Sequence, residues 1–397
     1  MKKTILLITF LYSFNFINAQ ENNAITTAVP FLLVAADARA AGMADNGVAS
    51  SPDAFSQQWN PSKYAFATDQ QGFSLSYTPY LTDLVNDISL AQLTYYNKYS
   101  EKSAFAASFR YFGLGDIELR PDFDSPAQIV SPNEFALDLS YSMKLSETFS
   151  MAVGGRFINS NLKVASDNND ASSSTSFAVD VAGYYQSEEI AYSDFNGRWR
   201  AGFNFQNMGP KMSYDNDDIN ANFLPANMRL GGGFDFILDD YNKIAVNLEF
   251  SKLMVPTPQV SYNGDGYQGS DMNGDGVVDK TDSDLAQNEY RSIGWFAGMF
   301  QSFGDAPGGF SEELKEVTYS IGSEYVYQDS FSFRAGYFHE SPEKGAREFF
   351  SLGAGFKYTS AKIDVSYLFS ASKVQNPLEN TLRFSLTFEF GDKYENY

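Results

Sequence analysis

The sequence predicts an all-β fold, a transmembrane antiparallel β-barrel of about fourteen strands with an N-terminal plug segment. Three observations carry this expectation. Segments of about ten residues alternate apolar and polar positions, the connections between them switch between tight and long, and nowhere after the N-terminus are there the roughly eighteen consecutive apolar residues of a membrane helix.

The alternation is clearest near the C-terminus, where Leu382, Phe384, Leu386, Phe388 and Phe390 fall on one face and Arg383, Ser385, Thr387 and Glu389 on the other. Phe135, Leu137, Leu139, Tyr141 and Met143 alternate in the same way with Ala136, Asp138, Ser140, Ser142 and Lys144, and Ile363, Val365, Tyr367 and Phe369 with Asp364 and Ser366. Side chains of a strand point to opposite faces in turn, so one face suits lipid and the other a polar lumen. The 36 Phe and 25 Tyr are enough to build aromatic girdles at both membrane interfaces.

A soluble sandwich also alternates, but it needs no orderly rhythm of connections. Here tight turns at 98–102, 144–148, 328–330 and 359–360 follow even-numbered strands, whereas the long joins at 113–133, 159–175, 209–227 and 251–315 follow odd-numbered ones. Short turns belong to the periplasm and long loops to the outside, which makes the first strand run outward.

The ends fit the same picture. Lys2 and Lys3, an apolar run from Ile5 to Ile17 and the small Ala19 before Gln20 predict a secretory signal over 1–19. The segment 20–71 lacks alternation but is apolar around Val29-Pro30-Phe31-Leu32-Leu33-Val34 and carries a Trp59-Asn60-Pro61 turn, so it is expected to plug or line the barrel from the periplasmic side or from within. The barrel is then expected over 72–397, with a long outer loop at 251–315. Without the signal, 26 basic residues face 49 acidic ones, a balance that excludes nucleic-acid binding by phosphate neutralisation. The chain has no Cys and one His, His339, which rules out disulfides and thiolate or Cys-ligated metal chemistry and argues against a histidine-based centre. With no Gly-x-Ser-x-Gly elbow, His-Glu-x-x-His or phosphate-cradling loop, no enzyme is expected.

Two constellations stand out in the long loop. Asp271, Asn273, Asp275, Val277, Asp279 and Asp282 match the ligand spacing of an EF-hand-type calcium loop, with Gly276 at the sharp turn and Asp in place of the closing Glu. Such a loop would take Ca²⁺; the alternative is a solvated acidic turn. The second is an aromatic run, Trp295, Phe296, Met299, Phe300 and Phe303, of residue types enriched at partner interfaces. Either a protein partner covers it, or it folds onto the barrel rim or into the outer leaflet.

The run from Asp37 to Ala49, with Arg39 and Gly42, followed by Asp53-Ala54 and Trp59-Asn60-Pro61, resembles the N-terminal plug of FadL-like outer-membrane proteins. Four further stretches are similar to the PorV family within that group: Pro30 to Ala35, Gly304 to Leu314, Arg334 to Phe338 and Asn376 to Ser385. The resemblance implies a component of the type IX secretion system in the cell outer membrane. Its implied partners are the outer-membrane translocon, the C-terminal signal domains of cargo, the attachment complex with its sortase, and outer-membrane lipid. A FadL-like transporter of hydrophobic small molecules and an outer-membrane lipid deacylase are the alternatives; the first predicts a continuous apolar path through the lumen.

Overall fold

The structure is a computed structural model that describes residues 24–81, 87–120, 126–162, 173–214, 221–262, 266–372 and 378–394. The expected signal at 1–19 lies outside the described residues, as do Asn376 and Pro377 of the fourth family-like stretch.

Fourteen long strands close into one antiparallel barrel. They are β1 (Asp69–Pro79), β2 (Ile88–Lys98), β3 (Ser103–Leu114), β4 (Asn133–Lys144), β5 (Phe149–Asn161), β6 (Ser174–Gln186) and β7 (Asn196–Met208), then β8 (Asn227–Ile237), β9 (Asn242–Leu253), β10 (Thr318–Tyr327), β11 (Phe331–His339), β12 (Glu348–Tyr358), β13 (Ala361–Ser370) and β14 (Leu382–Lys393). Each pairs with its neighbours in the chain, and β14 returns to β1 with Phe73 opposite Phe388 and Leu75 opposite Leu386. Closure leaves no open edge to template aggregation. A two-residue strand, Ile190–Ala191, adds to the periplasmic end of β7.

Most strands run a little beyond their expected ends, because the ladder continues into the rim after the apolar face has stopped. β10 instead starts two residues later than expected, since Leu314–Glu316 form a 3-10 turn. The tight turns have the backbone they need: Gln328 and Asp329 both take left-handed φ values, 52° and 51°, as in a type I′ hairpin.

Alternation sorts the side chains as the pattern requires. On β4, Leu137, Leu139, Tyr141 and Met143 are exposed outward, while Ala136, Asp138, Ser140 and Ser142 are buried inward. The barrel's core is therefore its lumen, and the segment before β1 fills it. Its outer end is fixed where the Ala28 N–H donates to the Phe223 carbonyl in the 209–227 connection and Arg110 of β3 donates to the Leu32 carbonyl. Its other end lies where Ser150, at the start of β5, donates to the Ser62 carbonyl and Lys98, at the end of β2, to the Ala67 carbonyl. The segment thus crosses the barrel from the outer mouth to the periplasmic end before β1 turns back outward. Of the two placements left open by the sequence, the inside is realised.

Two short helices, α1 (Ala38–Ala41) and α2 (Ser56–Trp59), give this segment its shape. Glycine permits its close approach to the wall. A Cβ on Gly42 would stand 3.0 Å from the Gly353 Cα of β12, and one on Gly202 of β7 would stand 2.3 Å from the Val48 carbonyl oxygen.

Candidate functional site: the plugged lumen and the outer loop

The lumen is held by paired charges. Arg39 on α1 reaches Asp53 of its own segment at 2.6 Å and Glu324 of β10 at 2.7 Å. Glu324 also accepts from Arg334 of β11 at 2.7 Å, and Arg334 lies 2.8 Å from Asp364 of β13. On the opposite wall Arg156 of β5 pairs with Asp138 of β4 and with Asp180 of β6. Glu249 of β9 pairs with Arg229 of β8 at 2.7 Å, and its other oxygen accepts the N–H groups of Gly47 and Val48 at 2.8 and 2.9 Å. Charges out of water are tolerated when paired and hydrogen-bonded in this way, and removing one partner strands the other.

Asn60 and Pro61 form the hinge of the segment. The Asn60 amide donates to the carbonyls of Val48 and Gly183 at 2.9 and 3.0 Å, and its oxygen accepts from the Ser62 N–H at 3.1 Å. Pro61, with its preset φ, opens the 3-10 turn Pro61–Phe66. Trp59 is fully buried and donates to Asp37 at 2.6 Å. A vestibule of about 470 Å³ remains at the outer mouth, lined by Pro30, Leu33, Asp45, Arg229 and Lys344 among others, and one of about 720 Å³ at the periplasmic mouth, lined by Arg39, Asp53, Lys357 and Lys362 among others. The inward position of Asp364 was visible in the alternation. The partnership of Glu324 with Arg39 was not, because pairing depends on which strand levels meet.

The outer loop contains α3 (Lys280–Ser292), α4 (Trp295–Gln301) and α5 (Phe310–Glu313). Around the start of α3 each expected calcium-ligating side chain finds a backbone donor. Asp271 accepts the N–H groups of Gly274 and Gly276, Asn273 that of Asp275, and Asp275 that of Val277. Gly274 and Gly276 take the left-handed φ values that this tight path demands, 78° and 87°. Asp279 and Asp282 form the capping box of α3, and Asp282 also receives the N–H groups of Met272 and Asn273. These donors, the Asp279 N–H first, hold the Asp282 carboxyl below its ordinary pKa. Among the described residues no group of three or more acidic or histidine side chains is gathered to hold a metal ion. The spacing of a cation loop is therefore present, with its carboxylates turned to the loop's own N–H groups.

The aromatic run splits between two faces of α4. Trp295 and Met299, one turn apart, pack with Ala226 and Met254 against Phe205, Met208 and Met228 at the outer ends of β7 and β8. Met299 is buried, so of the five residues expected at a partner interface it is the one the structure withdraws, and Trp295 is half-covered with it. Phe296, Phe300 and Phe303 remain exposed.

The stretch from Gly304 to Leu314, noted in the sequence only as family-like, forms a pedestal. The Ala306 N–H donates to Glu313 and the Gly308 N–H to Glu312, at 2.8 and 2.6 Å. Lys344 of the β11–β12 loop binds Glu312 and Glu316 at 2.5 and 3.0 Å, and Lys252 of β9 binds Glu313 at 3.1 Å and also Glu316. Phe310 and Leu314 stand out from this pedestal, 79% and 57% exposed. Asp305 beside it is pushed up to about 6, by burial first and by the nearby Glu313 and Glu316 carboxylates, against the Thr257 N–H that it accepts.

The sequence profile of the PorV family, described as type IX secretion system protein PorV, matches residues 17–260. The chain belongs to the PorV family. It is an outer-membrane component of the type IX secretion system. No curated protein gives a significant match. Among solved structures this PorV-family barrel is similar to the CymD monoaromatic hydrocarbon channel, with 12% identity over 90% of this chain and 98% of that one and a TM-score of 0.50. It is also similar to the Ralstonia pickettii toluene transporter TbuX (12% identity, 91% and 100% covered, TM-score 0.48) and to a Pseudomonas aeruginosa FadL homologue (12%, 90% and 99%, 0.44). At such identities the likeness concerns the fold alone, and the CymD match supports the closed β-barrel.

Proposed function

We propose that this protein binds the C-terminal signal domain of secreted cargo on its outer face, receives it at the outer-membrane translocon and delivers it to the attachment complex containing the sortase. The role is that of a non-enzymatic docking component. One observation carries the reading: Phe310 and Leu314 are exposed on a pedestal fixed by Lys252 and Lys344. Exposed apolar side chains mark contact sites, and a surface already held rigid loses little freedom on binding.

A route for hydrophobic molecules through the lumen finds no comparable support, because the inward wall is lined with charge pairs and the plug segment binds both walls. The docking reading is tested by Phe310→Asp combined with Leu314→Asp. The barrel should reach the membrane at normal abundance, while cargo fails to co-purify with it and accumulates unexported. Normal export by the double variant would overturn the reading. Calcium binding at 271–282 is a further part of the proposal; it rests on the ligand spacing and on the second lone pair that the Asp271 and Asp275 carboxylate oxygens keep after accepting one N–H each.

A further inference from the structure

The aromatic face of α4 has no role in that docking surface. Its position on the barrel gives it another. Phe205, Met208 and Met228, against which Trp295 and Met299 pack, point away from the lumen. Alternation settles this for Phe205 and Met228, because Asn204 and Gln206 donate inward to the carbonyls of Trp59 and Gln58, and Arg229 pairs inward with Glu249. A bulge at Asn207, which takes a left-handed φ and turns its side chain inward onto Arg156, carries Met208 to the outward face. α4 therefore stands against the outside of the wall. It sits above outward rows that carry Trp199 and Phe203 on β7, Leu230 on β8 and Leu248 and Phe250 on β9.

The face that α4 turns away from the wall continues this lipid-facing surface. Phe296 and Phe300 are 59% and 65% exposed and meet edge to face at 5.2 Å, and Phe303 is exposed beyond them. α4 contains no charged residue. Of the charges close to it, Asp305 accepts the Thr257 N–H, and Lys252, beneath the Phe303 ring, is buried in its pairs with Glu313 and Glu316.

We propose that α4 is an interfacial helix seated in the outer leaflet, with Phe296, Phe300 and Phe303 among lipid acyl chains. Helices that lie in the membrane interface bury an apolar face carrying aromatic residues at the headgroup and acyl boundary. It fixes the height of the outer loop, so that α5 and its pedestal are presented at a set distance from the membrane. This role needs no protein partner and is independent of the cargo reading.

A chain without cysteine allows a direct test. Phe300→Cys and Phe296→Cys, with the exposed Val277→Cys as a water-side control, would each carry an environment-sensitive fluorophore in the full-length barrel reconstituted alone into phospholipid vesicles. Retention of heat-modifiable mobility shows that each variant is folded. Probes at 300 and 296 should be quenched severalfold more strongly than the probe at 277 by acyl-chain bromines, and should be shielded from aqueous iodide. Iodide quenching at 300 and 296 equal to that at 277, without quenching by brominated lipid, would overturn the proposal and mark the face as one that only a protein partner covers. Cargo co-purification is not a readout of this experiment, so its outcome is separable from that of the docking test.

Discussion

The lumen and the outer loop of this chain treat their side chains in opposite ways. Between the plug segment and the wall, Arg39, Glu324 and Arg334 are buried with their charges matched. In the outer loop, apolar side chains such as Phe310 and Leu314 are left exposed while the carboxylates accept backbone N–H groups nearby. The interior has spent its interactions on closing the barrel around the plug. The loop has kept surface whose burial still lowers free energy, and this is what a docking component needs.

The sharpest way to break this contrast is to remove a charge from the interior. Arg39→Ala strands Glu324 and Asp53 and should cost about 3–5 kcal/mol, read as a lower unfolding midpoint in detergent. Phe310→Asp should leave that midpoint unchanged, and equal effects of the two would erase the distinction drawn between the regions.

Calcium gives the second, smaller effect. Calorimetry is expected to show uptake at roughly 10⁻⁴ to 10⁻³ M, as in extracellular calcium modules. At about a hundredfold excess over the dissociation constant such binding would stabilise the loop by about 2.7 kcal/mol. Chelation should then speed proteolysis within 271–282 and leave the barrel intact. No uptake, with proteolysis indifferent to chelator, would mean that the backbone N–H groups alone hold those carboxylates.

The smallest effect is on pH. The Asp305 carboxyl titrates at about 6 in the folded loop against an ordinary 3.8, so as pH rises between these values the unfolded segment loses its proton first. The loop should be most firmly attached below that window and loosen as pH rises through it, with no further change above. Limited proteolysis between 257 and 305 is therefore expected to be faster at pH 7.5 than at pH 5, and Asp305→Asn should abolish the difference.

Period-two alternation was enough to locate all fourteen strands and to choose their lipid face. Gly42 and Asn60 were readable as close-approach and turn residues, and both serve so. The direction in which the plug threads the barrel was not readable, since its two ends are similarly apolar. The role of Asp279 and Asp282 was also ambiguous, because an acidic residue three places after another suits a capping box as well as a cation loop. Nor could the run from Trp295 to Phe303 show that Met299 would be buried and Phe300 exposed, a choice that requires a helix and a wall for it to lie on.

The strand faces, the rhythm of turns and loops and the exclusion of thiol chemistry were set by residue order and content alone, because the pleat of a strand and the chemistry of a side chain are local properties. The pairing of Arg39 with Glu324, the seat of α4 against β7 and β8 and the pedestal beneath Phe310 were decided only when β14 closed on β1. Closure fixes the register of every strand at once, and with it which side chains far apart in the chain stand at the same height.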